Sequence, residues 1–400
     1  MRNASGNRQL GQVLSRFGLL ILGLLLVVVF SIALPETFPT SLTAKSILDA
    51  QAVIALLALA ETLVVIVGEY DLSVGYVAGF SSILVLGLIV RDGIPWVLAV
   101  LIVIALGAII GLVNGILVHV ARIDSFIATL GTGTLVYAAA NWYTDGQQVT
   151  AEKLPHGFTS IYSLTIFGIP ASAIYVVLAA AVLWVVLDYM PLGRYLYAIG
   201  GNRRAAELTG IRSRRFVIGA FVAAGALVSV AGVVLSSRLQ IGDVGNGPDF
   251  LLPTFVGALL GSTTIKPGRA NPWGTLVAVF VLGVGIAGFQ QLGGSYFITP
   301  LFNGSTLIIG VGAAGYAARR IRKARRQPAP STGQSSPVTD LHHVTADVSA
   351  TLLSPDDLNF SEANAQADHL TPPDTRRHES SPTQPPAQDT TGTERHENPR

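Results

Sequence analysis

The sequence predicts an all-α protein, a polytopic transmembrane helical bundle of about ten spans in two inverted halves, followed by a disordered C-terminal tail. Three observations carry this prediction. Half of the 400 residues are hydrophobic and only 12% are charged, where a soluble domain carries about a quarter charged. The apolar residues fall in unbroken runs, among them 17–34, 95–120 and 171–189, each close to the ~20 residues that cross a ~30 Å hydrocarbon core. The chain also holds 42 glycines, as expected where helices associate in lipid by close backbone approach.

Arg2, Arg8 and Arg16 precede the first apolar run, a pattern shared with signal peptides. That run is long for a cleaved segment, and Pro35-Glu36-Thr37 offers no small-x-small site. Residues 1–16 are therefore expected as a cytoplasmic N-terminus and 17–34 as a retained first span. Nine more are drawn at 46–67, 72–90, 95–118, 125–143, 171–189, 216–235, 251–263, 274–290 and 301–318. The third and eighth are short or Gly-interrupted, so re-entrant or broken helices are expected there; these survive in a bilayer only when buried in protein or lining a cavity. With the N-terminus inside, the inside segments hold 18 Lys and Arg, and the outside ones only Lys45, Arg91, Lys153 and Arg238. This asymmetry places both termini in the cytoplasm.

GEYDLSVG (68–75) follows span two and GPDFLLP (247–253) follows span seven, a faint echo of the kind inverted-repeat transporters show. The membrane domain is expected over 17–320, with its most basic internal loop at 191–215. From 321 a basic stop leads into a Pro-, Ser- and Thr-rich stretch with few apolar residues, a composition that cannot offset chain entropy by burial. A disordered cytoplasmic tail is expected there.

No Walker A sequence, no H-E-x-x-H and no nucleophile elbow occurs. The absence of cysteine removes thiolate chemistry and Cys-based metal sites. His343, His369 and His378 fit no metal spacing. No catalytic residue, metal site, cofactor or nucleic-acid partner is expected in this chain.

The first informative segment is Gly68-Glu69-Tyr70-Asp71-Leu72-Ser73-Val74-Gly75. Two carboxylates at a membrane-depth break are costly unless they meet water, substrate or helix N-termini. Asp71 or Ser73 is placed to cap the helix that follows, and capping alone is the alternative to a role in transport. Glu61 lies about two turns from Glu69, so a shared polar pocket is expected. Gly107-x-x-x-Gly111-x-x-x-Gly115 forms a smooth stripe for helix packing; Asn114 beside it either hydrogen-bonds across that contact or faces a cavity. With Thr129, these make the candidate pathway or gate set: Glu61, Glu69, Asp71, Ser73, Asn114 and Thr129. In the basic loop, Gly200-Gly201 is expected to break the chain, Asn202 to cap, and Arg203 to Leu208 to form a short helix. A purely topological or anionic-lipid role for this loop is the alternative.

GEYDLSVG resembles the Gly-Gly-Ile-Asp-Leu-Ser-Val-Gly signature of ribose-type sugar permeases, within the branched-chain amino acid and sugar permease superfamily. GLVNGILVHVARIDSFIATLGT (111–132), LGRYLYAIGGNRRAAELTGI (192–211) and the stretch from Gly268-Arg269 to Trp273-Gly274-Thr275 are similar to further blocks of that family, in its order. The resemblance implies a ten-span permease of an ATP-binding cassette importer in the cytoplasmic membrane, carrying a monosaccharide such as ribose or xylose. It implies pairing with a second permease copy, cytoplasmic ATP-binding subunits that hold ATP and Mg, and an extracytoplasmic sugar-binding protein. It further implies that Gly200, Gly201, Asn202, Arg203, Arg204, Ala205, Ala206, Gly210 and Ile211 form the element coupling to the ATPase. Glu69-Tyr70 departs from the usual Gly-Ile, and Asp124-Ser125 replaces the frequent Pro before Phe126. A permease for a branched-chain amino acid or other small polar solute, and an ion-coupled secondary transporter, are the alternatives.

Overall fold

The computed structural model describes residues 3–151, 153–294 and 297–308, with side chains from residue 16 onward. The expected tail, and the end of the tenth drawn span, lie outside these residues. Among the described residues the helices up to residue 291 are, in order, α1 (Asn3–Ala33), α2 (Ser41–Ile66), α3 (Val74–Val90), α4 (Trp96–His119), α5 (Ser125–Thr144), α6 (His156–Ser163), α7 (Ala171–Asp188), α8 (Pro191–Gly201), α9 (Arg203–Leu208), α10 (Ser213–Leu239), α11 (Asn246–Asp249), α12 (Leu251–Gly261) and α13 (Pro272–Gln291). A further helical stretch runs over 298–308. The only strands among the described residues are two-residue pairs. β1 (Val149–Thr150) lies antiparallel to β4 (Ile241–Gly242), and β2 (Thr165–Ile166) turns back onto β3 (Ile169–Pro170).

Among the described residues six helices (α1 from Arg16, α2, α4, α7, α10 and α13) are long and apolar enough to cross a membrane. The expected ten are not all recovered by that measure. α5 has the length, but Thr129, Thr132, Thr134 and Asn141 dilute its hydropathy. α3 is a shorter apolar helix of 17 residues and α12 has 11, in line with the short third and eighth spans drawn from sequence.

α2 is the hub. Its apolar residues run all round the helix, the signature of a buried rather than an amphipathic helix. Val53, Ala55, Leu57, Ala58, Leu59 and Ala60 are fully enclosed, with α3, α7, α10, α12 and α13 packed around them. α4 instead turns Leu98, Leu101, Ile109 and Leu112 outward, as a lipid-facing helix does. Its other face carries the glycine stripe. A Cβ at Gly107 would meet the Gly225 carbonyl oxygen and Ser229, and one at Gly111 the Phe221 carbonyl oxygen, all on α10. The stripe is the α4–α10 contact, where the two backbones approach as closely as they can.

The two echoing segments lie face to face. The pattern of a long helix, a break and a short helix occurs as α2–α3 and again as α10–α12. A Cβ at Gly75 would lie 2.6 Å from the Gly247 carbonyl oxygen, and one at Gly79 2.8 Å from the Gly247 Cα.

Candidate functional site

The site begins where α2 ends. Gly68, at φ +84°, closes the helix in a Schellman turn: its amide donates to the Val65 carbonyl at 3.0 Å and the Glu69 amide to the Val64 carbonyl at 3.2 Å. Only glycine adopts that left-handed conformation without penalty. The Tyr70–Leu72 stretch then carries backbone amides that no helix satisfies, and side chains from two helices, α5 and α2, take them up. The Tyr70 amide donates to Ser125 Oγ at 3.3 Å, the Leu72 amide to Thr129 Oγ1 at 2.9 Å, and the Asp71 amide to Glu61 Oε1 at 3.2 Å.

Asp71 folds back on its own segment. Its Oδ1 accepts from the Ser73 amide at 2.9 Å and from the Ser73 hydroxyl at 2.5 Å. Asn114 on α4 donates to Ser73 Oγ at 2.9 Å and to Asp71 Oδ1 at 3.5 Å, and its own Oδ1 accepts from Thr132 at 2.5 Å. Glu61, Asp71, Ser73, Asn114 and Thr129 are all at most 2% exposed. Five of the six expected pathway residues therefore form one connected polar knot joining α2, α4 and α5. The space left beside Asp71, Ser73 and Asn114 does not admit a water molecule, so the knot is closed here. Glu61 Oε2 is buried with no hydrogen-bond partner.

Three expectations are corrected. Glu69 does not share a pocket with Glu61: its carboxylate pairs with Arg203 on α9, Nη2 to Oε1 2.5 Å. Ser73 supplies no side-chain cap to α3; its hydroxyl is spent on Asp71. Gly200-Gly201 does not break the chain, because α8 continues through both and the turn falls at Asn202, with φ −161° and ψ 98°. Gly200 serves close approach instead: a Cβ there would strike the Ile66 carbonyl oxygen and crowd the Gly68 amide.

The short helix expected at 203–208 is present. Asn202 Oδ1 caps it by accepting from the Ala205 amide at 3.0 Å. Gly210, at φ +85°, closes it with the same Schellman pair, Gly210 amide to Glu207 carbonyl and Ile211 amide to Ala206 carbonyl. Ala206 is buried and Ile211 half-buried, anchoring α9 to the body. Arg204, Ala205, Arg212, Arg214 and Arg215 point outward with Leu208, which is 84% exposed. Arg203 is half-buried beside Glu69.

The block at 268–275 closes the turn between α12 and α13. Asn271 caps α13 by accepting from the Gly274 amide at 2.8 Å, and Thr275 meets Thr62 of α2 at 2.8 Å. Arg269 lies 3.5 Å over the Tyr197 ring, whose hydroxyl donates to the Ala270 carbonyl at 2.7 Å. Burial pushes the Tyr197 phenol upward, so it stays a protonated donor at neutral pH.

Ser125 and Thr132 were missed in the sequence, although Ser125, Thr129 and Thr132 recur at i, i+4 and i+7, one face of a helix. Among the described residues no cluster of His, Asp and Glu could hold a metal ion.

Residues 43–311 match the family described as branched-chain amino acid transport system / permease component. The chain is 36% identical to the ribose import permease protein RbsC of Bacillus subtilis (strain 168) over 290 residues, 72% of this chain and 90% of that one. It is 30% identical to the protein of the same name from Haemophilus influenzae, over 71% of this chain and 88% of that one. The D-allose transport system permease protein AlsC of Escherichia coli K12 is 26% identical, over 67% and 82%. No solved structure matches the chain.

Proposed function

The chain belongs to the branched-chain amino acid transport system / permease component family, and we propose that it is the membrane-spanning permease subunit of an ATP-binding cassette importer for a monosaccharide, a pentose such as ribose or xylose. Support for a sugar comes from the printed names of the relatives, which import ribose or transport allose. In this reading the chain has no catalytic group. Partner subunits bind ATP and Mg and dock on α9 from the cytoplasm, where both termini lie. An extracytoplasmic binding protein delivers the sugar, and a second copy of the chain completes the pathway.

One observation carries the mechanism: α9 is tied to the polar knot through a continuous path. Arg203 holds Glu69, Gly200 abuts the end of α2, and two residues beyond Glu69 the chain enters the Asp71–Ser73–Asn114 bonds. A shift of α9 driven by ATP binding pulls directly on the segment whose hydrogen bonds lock α2, α4 and α5 together. The knot is thus the gate that opens when the ATPase moves.

The test is reconstitution of the chain with its ATPase and binding protein in proteoliposomes. ATP-dependent uptake of labelled D-ribose or D-xylose, indifferent to an uncoupler, is the expected result. The buried, half-satisfied Glu61 carboxyl keeps a second reading open, an ion-coupled carrier. Uptake without ATPase, abolished by an uncoupler, would establish that one instead.

A further inference from the structure

The knot has no room for a ligand, yet the molecule contains a cavity that the candidate residues did not include. It measures about 480 Å³ and lies between the first half of α2, the second half of α13 and the 298–308 stretch. It sits at the end of α2 opposite the α9 contact. Taking the importer reading as its basis, we propose that this cavity is a binding site for a neutral polyhydroxylated solute, a station for the sugar on the side away from the ATPase.

The chemistry of the lining is what selects the ligand class. Four carboxamides (Gln51, Gln290, Gln291 and Asn303) and the hydroxyls of Thr43, Ser46 and Thr299 line the space, and no charged side chain does. A carboxamide offers both donor and acceptor, and a hydroxyl ligand needs both. An amino acid would bring an ammonium and a carboxylate into a site with no countercharge, which is costly at membrane depth. Neutral bonds are also weak enough to release a transported solute.

Two observations mark the lining as a site rather than a gap. Asn303 is 3% exposed, yet its Oδ1 has no hydrogen-bond partner, and a buried acceptor left unpaired is costly unless something fills the space. Gln51, 7% exposed, owes its place to Gly283: a Cβ there would strike the Gln51 side chain. Ile54, Leu282 and Ile286 complete the wall with apolar surface for the C–H faces of a sugar ring. The volume falls within the roughly 300–1,000 Å³ typical of small-molecule pockets.

The chain has no cysteine, so Ser46→Cys puts a single thiol at the exposed mouth. The experiment follows its modification by a methanethiosulfonate in the complete complex in nanodiscs, with D-ribose, D-xylose and D-allose as probes. Leu101→Cys on the outward face of α4 is the control. Modification at 46 slows about fivefold once a sugar exceeds its Kd some fourfold, as 1 + [L]/Kd requires, with no change at 101. In parallel, Gln51→Leu and Asn303→Leu each raise the KM for sugar uptake about tenfold, the loss of one or two hydrogen bonds, while the ATPase turnover of the complex is retained. If the parent complex takes up a sugar but no sugar protects position 46 and the two variants keep the parent KM, the cavity is not the site. If the parent complex takes up none of them, the importer reading fails first. Protection by leucine rather than by sugars overturns the ligand class alone.

Discussion

Neutralising one member of the Arg203–Glu69 pair should uncouple ATP hydrolysis from transport. The nitrogen and oxygen lie 2.5 Å apart, with side chains 34% and 14% exposed. Two unit charges at ~4 Å attract by about 4 kcal/mol at an effective dielectric of 20, but Arg203 is a third open to solvent and exposed pairs retain only about 0–1 kcal/mol. A coupling energy of about 1 kcal/mol is the appropriate expectation, which corresponds to a factor of about five in an equilibrium constant. Glu69→Gln and Arg203→Gln should each lower sugar uptake per ATP hydrolysed about fivefold in proteoliposomes, with ATPase turnover itself little changed. The pair lies at the membrane break and α9, not at a nucleotide. The swapped variant, Glu69→Arg with Arg203→Glu, should recover part of the loss. A double-mutant cycle isolates the pairwise term. Strictly additive single effects, or a swap worse than either single change, would refute transmission through this pair.

Other perturbations address the gate, the frame and the docking helix. Asp71→Ala removes the acceptor of the Ser73 amide and hydroxyl and leaves these buried donors unpaired; a loss of about 1–3 kcal/mol should lower the thermal midpoint of the purified chain and leave the gate leaky to sugar in vesicles lacking ATP. Gly111→Leu drives a side chain into the Phe221 carbonyl, and overpacking of about 1–3 kcal/mol or more should show as loss of folded protein by size-exclusion chromatography, whereas Leu112→Ala on the outward face is neutral. Asn202→Ala deletes the α9 cap for about 1 kcal/mol and should weaken ATPase co-purification while the midpoint of the membrane body holds. Gly210→Val forces a branched side chain into φ +85° and should do the same more severely.

Much of this protein was legible in its sequence because the bilayer imposes local rules. Apolar runs of membrane length, the bias of Lys and Arg toward alternate loops, and breaks at Gly68 and near Gly247 are properties of short windows, and they yielded the helical class and the two short helices after the breaks. Asn202 as a cap and the Gly107–Gly115 stripe were legible for the same reason: cap and stripe are spacings within one helix. Even the knot was half visible, since a buried Glu61, a break with Asp71, and Asn114 beside a glycine stripe are each anomalous in an apolar setting.

Partner choice was not legible. Glu69 looked like a companion of Glu61 eight residues away, but the Schellman turn at Gly68 swings it to the other side, toward an arginine 134 positions later. Gly200 looked like a helix breaker, and its real constraint is the α2 carbonyl it touches. The cavity left no sequence signal, because Gln51, the Gln290–Gln291 pair and Asn303 lie on three separate segments and converge only through the packing of α2 on α13. Hydropathy and charge, being sums over neighbours along the chain, determined by themselves that the protein spans a membrane; which carboxylate meets which arginine, and where a solute-sized space remains, were decided only by how the helices cross, a quantity that no local window contains.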